Sequence, residues 1–169
     1  MTFTITPATP DDFAAMYLIS MRTHQQNYDD LIPKDRRADY DKRYSVTPEN
    51  QAKYTAKFQR YLDDDRWFVW VAKDETGNVV GYTLAFKEND HLLHNKSLFI
   101  SPDHQGQGIG PALLKESLTP IQTGEIYLTV IKDNTWAKHI YEKNGFKPTG
   151  VDPKSYYGSK REVMRLEKQ

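Results

Sequence analysis

Gly106, Gly108 and Gly110 alternate through Gln105-Gly106-Gln107-Gly108-Ile109-Gly110, between the apolar Leu98-Phe99-Ile100 and the run Pro111-Ala112-Leu113-Leu114. Alternate glycines let a backbone approach a bulky anion with no Cβ in the way. A helix opening there adds amides that have no intrahelical acceptor, and a dipole that favours negative charge. Strand, glycine loop and helix together make a phosphate cradle. A P-loop needs Lys-Ser or Lys-Thr entering the helix, where Pro111-Ala112 stands. A dinucleotide fingerprint needs glycine at 111 and a place in the first βαβ unit, and neither holds. A strand-to-helix turn with no ligand also fits these residues alone.

A second group lies in Asn134-Thr135-Trp136-Ala137-Lys138-His139-Ile140-Tyr141-Glu142-Lys143-Asn144-Gly145-Phe146. Ala137 and Tyr141 are four apart, so a helix puts a small residue one turn before an aromatic hydroxyl on the same face. A phenol of pKa about 10 can give a hydrogen bond or a proton to a leaving group. Its bland alternative is a packing tyrosine that caps a carbonyl. Asn134 suits an N-cap, and Trp136 with Ile140 is assigned to the core. The chain has no cysteine, which excludes thiol nucleophiles and a disulfide framework.

Gln105-x-x-Gly108-x-Gly110 after a strand ending in Leu98-Phe99-Ile100, with Asn-x-x-Ala-x-x-x-Tyr-Glu-Lys-x-Gly-Phe from Asn134 to Phe146, resembles the GNAT superfamily of acyl-CoA-dependent N-acyltransferases. The two motifs fall in register. The resemblance implies that an amine attacks the thioester of acetyl-CoA directly, in a ternary complex, with no protein nucleophile and no metal. It implies that Gln105, Gly106, Gln107, Gly108, Ile109 and Gly110 give amides to the pyrophosphate. Backbone near Phe99 and Ile100 on a splayed fourth strand serves the oxyanion and the pantetheine amides. Asn134 and Ala137 meet the cofactor arm, and Tyr141 is the general acid beside the sulfur. Counting back from Ile100 puts His94 where many members carry a base, with Glu88 and Asp90 as alternatives at the end of the third strand. A sensor domain that binds acyl-CoA without catalysis is the competing reading.

The elements that must position these residues are legible in outline. Residues 2–6 alternate as a first strand. Thr9, Pro10, Asp11 and Asp12 open a helix that reaches His24. Residues 25–46 are irregular, and the charged run 34–43 reads as a solvated face. Thr47-Pro48-Glu49 opens a second helix with Tyr54, Phe58 and Leu62 at i, i+4 spacing. Strands follow over 67–72, 79–86 and 95–101, then a helix after the glycine loop that ends at Pro120 and Gly124. A fifth strand covers 126–131, a short helix 134–144, and two last strands 146–151 and 162–166 flank a 152–161 connection. This order predicts a mixed α/β sheet with helices on both faces. It is also the element order of the GNAT fold, so the resemblance implies an α/β fold of GNAT type with a mostly antiparallel seven-stranded sheet and strands 4 and 5 splayed.

At 169 residues, the chain is read as one N-acetyltransferase domain spanning 1–169. Lys plus Arg and Asp plus Glu are 23 each, which argues against a polyanion-binding face and so against nucleic acid. No apolar run approaches spanning length and the start has no basic, apolar leader, so no membrane partner and a cytoplasmic location are expected. The partner expected is a small-molecule amine or a peptide amino group, and a homodimer is left open. Tyr28, Asp29, Asp30, Glu88, Asp90, Tyr156 and Tyr157 are placed around the acceptor, where their acidic and aromatic character would suit a polyamine.

Overall fold

The structure is a computed structural model that describes residues 2–169. Seven strands form one sheet: β1 (Phe3–Pro7), β2 (Trp67–Asp74), β3 (Val79–Asn89), β4 (Leu92–Ile100), β5 (Gly124–Ile131), β6 (Lys147–Tyr156) and β7 (Ser159–Lys168), in the order β1-β2-β3-β4-β5-β7-β6. Every pairing is antiparallel except β4 with β5. Five α-helices accompany it: α1 (Phe13–Asn27), α2 (Arg37–Arg43), α3 (Pro48–Leu62), α4 (Ile109–Ser117) and α5 (Thr135–Lys143).

Strand alternation divides the apolar residues between two covered faces. Val69 and Val71 of β2, with Tyr82 and Leu84 of β3, pack beneath α1 and α3 against Met16, Tyr17 and Phe58. Their neighbours Ala72 and Val80 point the other way, to Ile109 and Leu113 of α4. Ala137 and Tyr141 of α5 join Leu93, Leu114, Ile126 and Phe146 on that second face. The expected architecture is therefore present, with helices on both sides of a mixed sheet.

Three local departures from the sequence reading have physical causes. The charged run 34–43 contains α2, because Tyr40 and Tyr44 are buried at i, i+4 while Asp41 and Lys42 between them are exposed. The 152–161 connection is mostly strand. Tyr157 (φ 49°) and Gly158 (φ 87°) form a two-residue turn with both centres left-handed, which matches the twist of the flanking strands. In β4, Leu84 faces Ser97 and Ala85 faces Asn95, so Lys96 is a bulge without a partner. Asn95 anchors that bulge: its Nδ2 donates to Ser117 Oγ of α4 at 2.8 Å, and Ser117 donates to the Leu114 carbonyl at 2.7 Å.

Candidate active site

β4 and β5 run parallel but pair at only three positions, Leu92 with Glu125, Leu93 with Ile126 and His94 with Tyr127. Beyond them the strands part, as the splay expected of strands 4 and 5 requires. From Asn95 onward the edge of β4 that faces β5 has no strand partner. Gly124 sets the closed end: a Cβ there would lie 2.3 Å from the His91 carbonyl oxygen. The parting opens a cleft of about 500 Å³ lined by Leu98, Phe99 and Ile100 on one side and Thr129, Val130 and Ile131 on the other. Asn134, Ala137 and Tyr141 of α5 close one end, and Gln105 and Gly110 border it near α4.

The glycine loop has the geometry of an anion cradle. Gly106 (φ 75°) and Gly108 (φ 82°) are left-handed, and no atom lies within 4 Å of the Cβ that either lacks. Gly108 caps α4, so the amides of Ile109 and Gly110 open the helix without intrahelical acceptors. Among the described residues, the Gly106, Gln107 and Gly108 amides have no backbone acceptor either. Gln105 Nε2 reaches the Ile100 carbonyl at 3.4 Å, tying the loop to the end of β4. The Ile109 side chain is buried in the core, leaving only its amide to serve a ligand. The Gln107 side chain instead approaches the Asp103 carbonyl at 3.5 Å, at the surface.

Tyr141 packs edge-on against Phe146, and its hydroxyl makes no hydrogen bond among the described residues. Burial, with the nearby Tyr28 phenol adding to it, holds its pKa well above the ordinary value, so the phenol keeps its proton. Asn134 Oδ1 accepts from the Ala137 amide at 3.1 Å as an N-cap, which leaves its amide nitrogen toward the cleft.

His94 and Glu88 do not line the cleft. His94 lies tilted against Tyr127, ring centres 4.1 Å apart, and burial lowers its pKa to about 4, with Lys96 and Arg161 adding to the effect. Glu88 accepts from the Tyr127 hydroxyl. The Lys96 bulge separates them from the reacting region, since counting by twos along β4 fails across it. Asp90 pairs with Lys87, and Asp29 with Arg37. Of the residues placed around the acceptor, Tyr28 and Tyr156 line the cleft and the carboxylates do not.

The wall opposite the glycine loop comes from α1, α2, α3 and the β6–β7 turn. His24 is its centre, stacked on Tyr44 at 3.6 Å and tilted against Phe99 of β4 at 5.2 Å. Tyr40 Oη lies 3.0 Å from the His24 carbonyl and 2.9 Å from His24 Nδ1. A carbonyl only accepts, so the one phenolic proton goes there, and Nδ1–H must donate to Tyr40. That tautomer leaves a lone pair on Nε2. Burial lowers the His24 pKa to about 3, and Arg43 and Lys57 push in the same direction. Four charged residues line the whole cleft, Arg43, Lys57, Lys96 and Arg161, and all are basic. The sequence places the acceptor on the first helix, residues 25–46 and the last two strands, and names Tyr28 and Tyr156 of this wall, but not His24, Arg43, Tyr44, Tyr54 or Lys57. The one local signal for α2 is the Tyr40–Tyr44 spacing.

Comparison with known proteins agrees with this geometry. Residues 65–148 match the acetyltransferase (GNAT) domain family. An uncharacterised N-acetyltransferase of Mycobacterium bovis is 30% identical over 116 residues, covering 63% of this chain and 74% of that one. The chain belongs to the GNAT acetyltransferase family. A GNAT relative from Salmonella typhimurium, a peptidyl-lysine N-acetyltransferase, is 40% identical over 82 residues, 48% of this chain and 52% of the relative. The fold superposes on the PaiA N-acetyltransferase of Thermoplasma acidophilum in complex with coenzyme A, with a TM-score of 0.78 and 18% identity over 99% of both chains. For this GNAT chain the cradle's free amides and missing Cβ atoms fit a pyrophosphate, and the cleft beyond fits an extended arm. Among the described residues, no cluster of His, Asp or Glu is arranged to hold a metal ion, and no helix is long and apolar enough to cross a membrane.

Proposed function

We propose that residues 1–169 act as a single N-acetyltransferase domain that moves an acetyl group from acetyl-CoA to a primary amine by direct attack in a ternary complex. The observation that carries this is the unpaired Tyr141 hydroxyl in the cleft where β4 and β5 part. Acetyl-CoA supplies an activated thioester. The amides of residues 106–110 hold its pyrophosphate, that of Gln105 being given to the Pro102 carbonyl at 3.4 Å, and the edge of β4 at Phe99 and Ile100 that lacks a strand partner orients the arm and the carbonyl. Ala137 leaves room beside the sulfur, and Asn134 adds a donor. The proton lost by the amine is the one gained by the thiol, so none is consumed. Tyr141 holds its proton more tightly than a thiol of pKa about 8.5 does. Its role as acid is therefore a hydrogen bond to the departing sulfur, strongest as negative charge develops there. His24 Nε2 orients the amine through its lone pair; with a pKa near 3 it is too weak a base to hold an ammonium proton, which passes to water.

The test is thiol release with acetyl-CoA across amines, amino acids, polyamines and peptides. Tyr141→Phe is expected to lower kcat by about 100-fold with the best acceptor, while stabilisation by acetyl-CoA persists. Unchanged kcat removes Tyr141 from the chemistry. Stabilisation by acetyl-CoA without thiol release from any amine makes the domain a sensor.

A further inference from the structure

We infer that the acceptor carries an anionic group, a carboxylate in the first instance, and that Arg43 and Lys57 bind it. This rests on the transfer reading above and names the substrate class of the same cleft. The chain has no net charge, yet the charged side chains in the cleft wall are all basic. Two of the four are neutralised or shared: Arg161 pairs with Asp152, and Lys96 feels Glu88. Arg43 and Lys57 have no carboxylate within ion-pair distance among the described residues. Lys57 is half-buried, its neighbours one turn away along α3 are Lys53 and Arg60, it lines the same cleft as Arg43, and burial, with Arg43 and Arg60 adding to it, lowers its pKa. Two cations held together without a counter-ion make a local positive potential that favours an anion, and the low-dielectric walls of a cleft focus it.

The walls around that pair are built for a small, partly apolar molecule. The Arg43 guanidinium lies 5.8 Å from the Tyr44 ring centre, and the Lys57 ammonium 5.5 Å from that of Tyr54. Tyr44 stacks on His24, which touches Phe99 on β4. The layered rings thus connect the anion end to the strand that presents the thioester. An amine anchored by its carboxylate on Arg43 and Lys57 extends its nitrogen along this stack toward β4. A guanidinium and a carboxylate match in geometry, which makes the carboxylate the first choice over other anions. The cofactor's own phosphates belong elsewhere: the glycine loop opens α4, on the sheet face opposite α1 and α3. A polyamine, by contrast, would meet like charge.

The experiment is calorimetric titration of the coenzyme A-bound protein with matched pairs: phenylalanine and 2-phenylethylamine, tyrosine and tyramine, glycine and methylamine. Phosphoethanolamine with ethanolamine tests a phosphate as the source of charge, and spermidine tests a polycation. For at least one pair the anionic member is expected to bind about tenfold or more tightly, the scale of charge-assisted bonds. Arg43→Gln with Lys57→Gln should bring that ratio near one, and Arg43→Gln alone, at the exposed rim, should lower it if the double variant does not fold. Stabilisation by acetyl-CoA should survive both. Equal binding within every pair, preference for spermidine, or a ratio that survives the double variant overturns the inference. So does loss of acetyl-CoA stabilisation, which would give the two cations to the cofactor. Selective binding of the anionic amine without thiol release supports this assignment while the transfer reading fails.

Discussion

At the scale of single residues, the site depends on groups kept in one protonation state by their surroundings. His24 shows this most clearly, with one nitrogen engaged by Tyr40 and the ring stacked on Tyr44 and tilted against Phe99. Its folded pKa of about 3 lies below the ordinary 6.5, so between those values the unfolded chain binds the extra proton. Stability is therefore complete above pH 6.5 and falls as the medium is acidified toward 3. Going from pH 7 to pH 5 should remove about 2 kcal/mol of unfolding free energy through this residue. His94 acts in the same direction, more weakly because it is partly exposed. Denaturant unfolding at the two pH values, in the wild type and in His24→Gln, measures the effect. The variant is expected to be less stable at pH 7 but to lose about 2 kcal/mol less on acidification. Equal losses would show that His24 is not held neutral.

At the scale of elements, two glycines with positive φ do different work and should respond differently to alanine. Gly108 has open space where a Cβ would go, so Gly108→Ala meets only the left-handed backbone cost of about 1–2 kcal/mol. Its larger effect should be on acetyl-CoA affinity, because the new methyl stands over the amides of the cradle. Gly124 (φ 120°) sits where β5 begins against the His91 carbonyl, and a Cβ must push backbone apart. Gly124→Ala is expected to cost more than about 3 kcal/mol, a fall in Tm of roughly 6–12 °C. Thermal melts of both variants, with and without acetyl-CoA, separate a lost contact from a wedged sheet. The donor half of the site was legible in sequence for the same local reason: a glycine loop and one face of α5 are each contiguous stretches. The acceptor half was legible only in part: Tyr28 and Tyr156 were placed there and line the cleft, while His24, Arg43, Tyr44 and Lys57 were not named. It is assembled from α1, α2, α3 and the β6–β7 turn, which are far apart in sequence. Within it, α2 hid among charges, and the Lys96 bulge defeats the counting that singled out His94.

At the scale of the whole molecule, the succession of strands and helices followed from alternation and caps, while the sheet architecture followed from the resemblance to the GNAT fold. What the linear pattern did not contain was the polarity of the cleft. Equal numbers of acids and bases say nothing about which of them a fold gathers together, and here the charged residues that line the cleft are all bases. Ligand linkage tests the folded unit directly. Acetyl-CoA at a hundredfold excess over its dissociation constant should stabilise the protein by about 2.7 kcal/mol, a rise in Tm of roughly 5–11 °C. No rise at all would remove acetyl-CoA as the ligand of this fold.

The parting of β4 from β5 has a consequence for how the protein lives without its ligand. A sheet ordinarily ends at its outer strands, where free amides and carbonyls invite an extended chain to add on. Here an edge of that kind lies in the middle, at the fourth of the six pairings that hold the sheet together. The sheet thus keeps an unfinished seam in its interior, with paired strands on either side and helices on both faces. A flexible arm that carries its own amides can complete there the hydrogen bonding that β5 leaves open.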